Sequence, residues 1–411
     1  MKKRILLIGY NFAPEPTGIG RYSGEMLAWL AARGHECTAL TAYPYYPHWQ
    51  VQAPYHQHRF RYRQERQEFA SGGSLTVCRC PMYVPAQPTG LKRMLVDSSF
   101  LLSAGLQLLR GLGRFDAVLV VAPSFLFGLL GVAYKKLRGG RLLYHIQDLQ
   151  IEAARDLQLI KSERVIRLLF GLERYIFRHA DVVSSISEGM VARIAAKAGK
   201  EVVLFPNWAD TAVFFPLDNR AALKAAYGFA PTDKVVLYSG AIGEKQGLEA
   251  ILHAARELEA HRELKFVICG SGPYRQTLEQ LARQMGLQNL FFLPLQPHDQ
   301  FNQFLNMADV HLVIQKANAS DLVMPSKLTT ILAVGGLALI TANPQSGLHT
   351  LVARHQMGIL VDAESQPALN AGIRQAVTQD TTQLTANARA YAQAYLSIDG
   401  VMQQFERTAV G

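Results

Sequence analysis

Short apolar runs recur along the chain, and stretches with helical spacing separate them. The first run, RILLIGY, begins at Arg4 and is almost continuous, as in a strand covered on both faces. The spacing predicts a helix over residues 23–33, with Met26, Leu27, Leu30 and Ala31 on one face and Gly34 ending it. HECTALTAY, GGSLTVCRCP, DAVLVV, RLLYHIQD, DVVSSIS and EVVLFPN read as further strands. Residues 96–109 and 162–178 read as helices, and a third helix starts from Ser124. The pattern then restarts. DKVVLYSGAIG, LKFVICGSGP, NLFFLP, DVHLVIQ, LALITAN and GILVD read as strands with helices between them. Residues 385–407 read as helix. Repeated β-α alternation predicts an α/β protein with parallel sheets and helices on both faces.

The restart divides the chain. A length of 411 residues fits two cores better than one. The expected organisation is a Rossmann-like domain over 1–205, a turn-rich linker PNWADTAVFFPLD over 206–218, and a second Rossmann-like domain over 219–385. A helical segment over 386–411 is expected to pack back toward the first domain. Two such domains side by side form a cleft at the carboxyl ends of their strands, where α/β sheets bind ligands. The uncharged run VLVVAPSFLFGLLGVAY, residues 118–134, is divided by Pro123-Ser124 and is short for a membrane span, so it reads as strand, turn and helix. MKKR is followed only by a strand-length apolar run, so no secretory signal is read there.

Composition adds little until charge is considered. With 49% apolar and 18% charged residues the chain is a folded one. Its four cysteines include a C-x-C at Cys78 and Cys80 but no paired C-x-x-C, which reads as reduced thiols. The formal net charge of +10 is unevenly placed: residues 1–210 hold 27 Lys+Arg against 16 Asp+Glu, and residues 211–411 hold 15 against 16. A basic first half fits an anionic partner. Its densest stretch is RFRYRQER, residues 59–66. That stretch reads either as a solvated loop or as a membrane or lipid-phosphate contact through Arg59, Arg61 and Arg63.

The candidate chemistry lies in glycine-rich turns. PEPTGIGRYSGEM, residues 14–26, approaches a dinucleotide fingerprint but fails it in three ways. Gly18 lies nine residues after Gly9 rather than directly at the strand end, the spacing of Gly18, Gly20 and Gly24 is wrong, and the second strand ends without a carboxylate. What remains is a loop with Gly18, Gly20 and Arg21 that can wall a phosphate or sugar. In the second half, SGAIGEKQGLEAIL carries Gly240 and Lys245 from a strand into a helix, and Gly270 ends the next strand. MPSKLTTILAVGG places Ser326 as an expected N-cap and Lys327 in the first turn. A lysine there opposes the helix dipole unless an anion is present. His145 and Asp148, in YHIQD at a strand end, are polar candidates for an acceptor or donor-sugar contact. The alternatives are a satisfied sheet-end histidine and a helix-capping carboxylate. No D-x-D triplet, a metal-binding signature, occurs; no metal and no cofactor are expected.

FAPEPTGIGRY, GHECTALTAYPYYP, LFPNWADTAVFFP, SGAIGEKQGLEAIL, ICGSGP and MPSKLTTILAVGG, in that order, resemble the GT4 family of GT-B glycosyltransferases. The resemblance extends to about residue 365 and is strongest to the exopolysaccharide branch that includes colanic acid enzymes. It implies two Rossmann-like domains facing a central cleft, with the nucleotide-sugar held mainly by the second. It implies retaining, metal-independent transfer to an acceptor hydroxyl. Gly18 and Gly20 would face the donor phosphates, with Gly240, Lys245, Gly270, Ser326 and Lys327 on the donor as well. The usual Arg after the first glycine is Ala241 here. The ribose-binding Glu falls on Thr330, and the first Glu of the pair falls near Asp321, which joins His145 and Asp148 as a catalytic candidate. Arg21, Arg59, Arg61 and Arg63 would contact acceptor or membrane. The implied donor is GDP-fucose and the implied acceptor a polyprenyl-diphosphate-linked saccharide, at the inner face of the cytoplasmic membrane. A UDP-N-acetylhexosamine donor and a non-catalytic nucleotide-sugar-binding protein are the alternatives, and no nucleic-acid partner is expected.

Overall fold

The computed structural model describes the chain except for residues 1, 17, 88–89, 157–159, 161, 317–324 and 411. The side chains of Leu91, Ala153, Asp156, Lys245, Ala409 and Val410 also lie outside that description. The chain forms two compact units: Met1–Pro206 with Met402–Gly411, and Asn207–Val401.

Among the described residues unit 1 is built on eight strands: β1 (Arg4–Ile8), β2 (Glu36–Ala42), β3 (Arg63–Glu68), β4 (Ser74–Cys80), β5 (Ala117–Ala122), β6 (Arg141–Ile146), β7 (Val182–Ser185) and β8 (Val203–Leu204). Their order is β3-β4-β2-β1-β5-β6-β7-β8. The middle strands are apolar because helices cover both faces: Ile5 to Ile8 of β1 and every residue of β5 are buried. Consecutive parallel strands run outward from β1 in both directions, so the topological switch lies between β1 and β5.

One strand departs from the parallel expectation. The basic stretch read as a loop continues into β3, which pairs antiparallel with β4 from Arg63↔Arg79 to Glu68↔Ser74. Its residues RQERQE are nearly all exposed. A charged edge strand resists pairing with other chains, and that composition hides it from an apolar-run reading.

The first helix also departs. It spans Gly18–Ala32, so the glycine loop is its opening turn. Residues 118–134 form β5, a turn and the helix Phe127–Arg138, as the sequence predicts.

Among the described residues unit 2 has six parallel strands: β9 (Lys234–Ser239), β10 (Leu264–Cys269), β11 (Leu290–Leu293), β12 (Val310–Val313), β13 (Ala338–Thr341) and β14 (Ile359–Val361). Their order, β11-β10-β9-β12-β13-β14, puts the switch between β9 and β12. The segment expected as a linker belongs to this unit. Ala209 and Phe214 are fully buried in its core, and Asp210 Oδ1 accepts from Ala212 N at 2.9 Å. It also explains why the C-terminal helix is broken. Ala209 N donates to Leu396 O at 2.8 Å and Ile398 N to Ala209 O at 3.2 Å, so helix Thr382–Tyr395 ends before helix Ile398–Phe405 begins. Beyond it, in unit 1, Phe405 stacks on Phe205 at 4.2 Å and Glu406 pairs with Arg33 at 2.9 Å. Among the described residues no helix is long and apolar enough to cross a membrane.

Candidate functional site

In unit 2 the turns after β9 and β10 stack backbone on backbone. Gly240 N donates to Cys269 O at 3.0 Å and Ile242 N to Ser271 O at 2.9 Å. A Cβ on Gly270 would lie 1.8 Å from Gly240 O, so no side chain fits there. These bonds use alternate amides. Among the described residues the amides of Ala241, Gly243, Ser271 and Gly272 have no internal acceptor and remain available to an anion.

Lys327 lies on this stack. Its ammonium sits 2.8 Å from where a Cβ of Gly240 would be, and 3.5 Å from the centroid of the Tyr238 ring. Gly240 has a φ of +155°, open to glycine, and its missing side chain is the space the ammonium occupies. No carboxylate among the described residues pairs with Lys327. Burial lowers its pKa to about 7. Such a lysine is an incomplete ion pair: an anion placed on the spare amides would restore its charge.

The surrounding residues fall into place unevenly. Ser326 does not cap its helix. Its backbone is helical at φ −60° and ψ −25°, and the turn already starts at Pro325, whose carbonyl accepts from Leu328 N at 3.0 Å. The ring fixes φ in the helical range, so the helical path begins one residue before the expected cap. Thr330 is buried, and its hydroxyl donates to Lys327 O at 3.0 Å. Lys245 has its backbone in a single 3-10 turn, Glu244–Gln246, while its side chain lies outside the described part. Asp321 lies outside the described residues.

One cation was missed by sequence reading. Lys316 follows β12 at the switch point, with its side chain against Gly247. It borders a cavity of about 190 Å³ that also takes in Gln246, Thr341, Ser365 and Gln366. Its position directly after DVHLVIQ was the available signal.

In unit 1 the residues after β1, β5 and β6 gather at the other switch point. Tyr10 stands edge-on to Phe127 at 5.1 Å and Phe100 at 5.8 Å, and its hydroxyl meets the Asp97 carboxyl. Gln150 Nε2 approaches Asp97 Oδ2 at 3.5 Å. Burial raises the pKa of Asp97 and pushes Asp148 up to about 6. Both carboxyls in turn raise the Tyr10 hydroxyl, whose largest cause is its own burial. Asp148 thus sits among tyrosine hydroxyls and accepts no hydrogen bond from the described residues, unlike a helix cap. Tyr10 and Asp97 escaped the sequence reading because they lie far apart in sequence and in no glycine-rich motif.

His145 takes the structural alternative. Strand alternation turns it into the core, 2% exposed, with Nδ1 3.0 Å from Ser184 Oγ and its ring against Phe205 at 5.0 Å. Burial lowers its pKa to about 3, so the ring is neutral. The loop of the first helix has an internal logic as well. A Cβ on Gly20 would lie 2.4 Å from Glu15 Oε2. Glu15 is buried there and accepts from Asn11 Nδ2 at 2.9 Å and from the amides of Tyr45 and Tyr46 at 3.1 Å. Gly20 therefore makes room for a carboxylate of its own chain, and Gly18 alone of the pair faces open space. Arg21 Nε pairs with Glu25 at 2.6 Å. Arg59, Arg61 and Arg63 are exposed.

These two glycine- and charge-bearing switch points can be set beside known proteins. Residues 219–395 match the family described as glycosyl transferases group 1, and residues 17–208 match the glycosyl transferase 4-like domain. The chain is 42% identical to the putative colanic acid biosynthesis glycosyl transferase WcaI of Escherichia coli (strain K12), covering 98% of each chain. Among solved structures, sucrose-phosphate synthase of Thermosynechococcus elongatus superposes with a TM-score of 0.77 at 17% identity, over 99% of this chain and 98% of that one. HepE of Anabaena, solved with UDP and glucose, superposes with a TM-score of 0.67 at 14% identity, over 99% of each. The chain belongs to the group 1 glycosyl transferases and is a glycosyltransferase of GT-B fold, with two Rossmann-like α/β units.

Proposed function

We propose that this enzyme moves a sugar, fucose from GDP-fucose, onto a polyprenyl-diphosphate-linked saccharide in the assembly of a colanic acid-like exopolysaccharide. The observation that carries the donor side is the Lys327 ammonium laid on Gly240 beside four spare amides. A diphosphate matches that set: two anionic groups, one ammonium and a row of N–H donors. The 42% identity to a colanic acid glycosyl transferase supports the pathway class.

The transfer breaks the bond between the anomeric carbon and the diphosphate oxygen and forms one to the acceptor oxygen. The acceptor proton goes to the departing diphosphate, and attack from the leaving-group side retains the configuration. Negative charge grows on the leaving oxygen, and Lys327 and the turn amides stabilise it there without a metal ion. Asp148 and Tyr10 supply acceptors and donors for sugar hydroxyls. The basic first half, with Arg59, Arg61 and Arg63, favours an anionic lipid-linked acceptor at the membrane surface.

The test is thermal stabilisation by GDP, UDP and their sugars, followed by transfer from the stabilising donor. GDP should raise the melting temperature more than UDP, and Lys327→Ala should lower transfer at least ~10-fold. Stabilisation by UDP alone would move the donor to the UDP-N-acetylhexosamines. No shift with any nucleotide would sink the enzymatic reading of this site.

A further inference from the structure

The helix Gly90–Gly111 in unit 1 is apolar on two faces. One face is core: Val96, Phe100 and Ala104 are buried. The other is not used by the fold. Met94, Leu95, Leu102, Leu106 and Leu109 are between 53% and 74% exposed. At about 100° per residue they fall within roughly 120° of arc, so they form one continuous ridge along the helix. Single exposed apolar side chains are ordinary, but five in line on one helix are not.

The surroundings of the ridge are basic. The helix carries Lys92, Arg93 and Arg110 against a single acid, Asp97, which faces the Tyr10 cluster. The segment before β3 is tied to the same helix. Tyr62 OH donates to Ser103 O at 3.0 Å, and the Arg110 guanidinium lies over the Tyr62 ring at 4.6 Å. Phe60, 78% exposed, lies two residues before that anchor, between the exposed Arg59 and Arg61. An apolar ridge flanked by arginines has the make-up of a helix lying in a lipid interface. The apolar side enters the acyl boundary, and the cations stay at the anionic headgroups.

We infer that the helix Gly90–Gly111, with Phe60, is the surface by which this enzyme docks onto an anionic bilayer, inserting its leucine ridge between lipids. The inference deepens the membrane side of the proposed function and rests on it for the lipid-linked acceptor. It adds a named apolar anchor to a charge attraction. The charge alone would give salt-sensitive binding, whereas the ridge predicts binding that survives salt.

The test is flotation of the full chain with phosphatidylcholine vesicles with and without phosphatidylglycerol, and GDP-induced melting shifts in parallel. The variant Leu102→Gln/Leu106→Gln/Leu109→Gln should partition onto phosphatidylglycerol vesicles at least ~10-fold more weakly, with its GDP shift unchanged. Leu106→Trp should show a blue-shifted emission on vesicles and quenching by lipids labelled in the acyl chain. Wild-type partition of the triple variant would overturn the inference, as would unshifted emission from vesicle-bound Leu106→Trp. So would a vesicle-free dimer that the triple variant dissolves, since the ridge would then be a subunit contact. Loss of the GDP shift with vesicle binding intact would instead strike the donor reading and leave this surface standing.

Discussion

Lys327 offers a prediction that binds structure to titration. In the free protein burial lowers its pKa to about 7, its ammonium resting on Gly240 and Tyr238 with no carboxylate among the described residues to pair it. At pH 8 only about a tenth of it carries a proton, against nearly all of an ordinary lysine near 10.4. A diphosphate set on the neighbouring amides favours the charged form, so binding takes up about nine-tenths of a proton at pH 8. The sign is fixed by that uptake: affinity is greatest below pH 7 and falls as pH rises. With the bound lysine back near its ordinary pKa, GDP-fucose affinity weakens about fivefold from pH 7 to 8 and about fiftyfold from pH 7 to 9. The assay is titration calorimetry in buffers of different ionisation enthalpy, where the slope of heat against buffer enthalpy counts protons. Lys327→Arg keeps a charge that does not titrate in this range and should flatten the profile. A flat wild-type profile would refute the reasoning, and so would the same proton uptake in Lys327→Arg.

Gly240→Ala sets a methyl 2.8 Å from the Lys327 ammonium at a φ of +155°, and should weaken GDP-fucose binding at least ~10-fold by calorimetry. Gly20→Ala collides with Glu15 at 2.4 Å and should lower unfolding free energy by about 1–3 kcal/mol, read by denaturant titration, with the GDP melting shift intact. Asp148, raised to about 6, is ionised above that pH, so transfer should rise through pH 6. Asp148→Asn should abolish that limb in the pH-rate profile. His145→Asn should leave kcat unchanged while lowering the melting temperature, because the neutral ring serves Ser184 and the core.

The architecture was legible in the sequence because buried parallel strands are nearly continuous apolar runs. β1, β5, β9 and β10 could be located from their own composition. β3 could not, since an edge strand is stabilised by pairing with β4 and needs no apolar residue of its own. The helix starting at Gly18 was read as beginning later for a related reason. Its first turn is held by Glu15 filling the space over Gly20, a contact that propensity does not express. Lys327 was legible because a lysine in a first helical turn is electrostatically odd. Its partner Tyr238, and the contact with Gly240, are products of strand order. Tyr10, after β1, and Asp97, on the helix Gly90–Gly111, meet only through the packing of that helix on Tyr10, and sequence spacing carries no trace of that. The glycines of the first loop misled in an instructive way: absence of a side chain marks close approach, but not what approaches. At Gly20 it is the chain's own carboxylate.

The central claim is that Lys327 and the turns after β9 and β10 hold the donor diphosphate. A crystal structure of the GDP complex tests it most directly. The account predicts a phosphate oxygen within about 3 Å of Lys327 Nζ, with the amides of Ala241 or Gly243 donating to the same diphosphate. A GDP diphosphate bound elsewhere, with Lys327 still resting on Gly240, would contradict it.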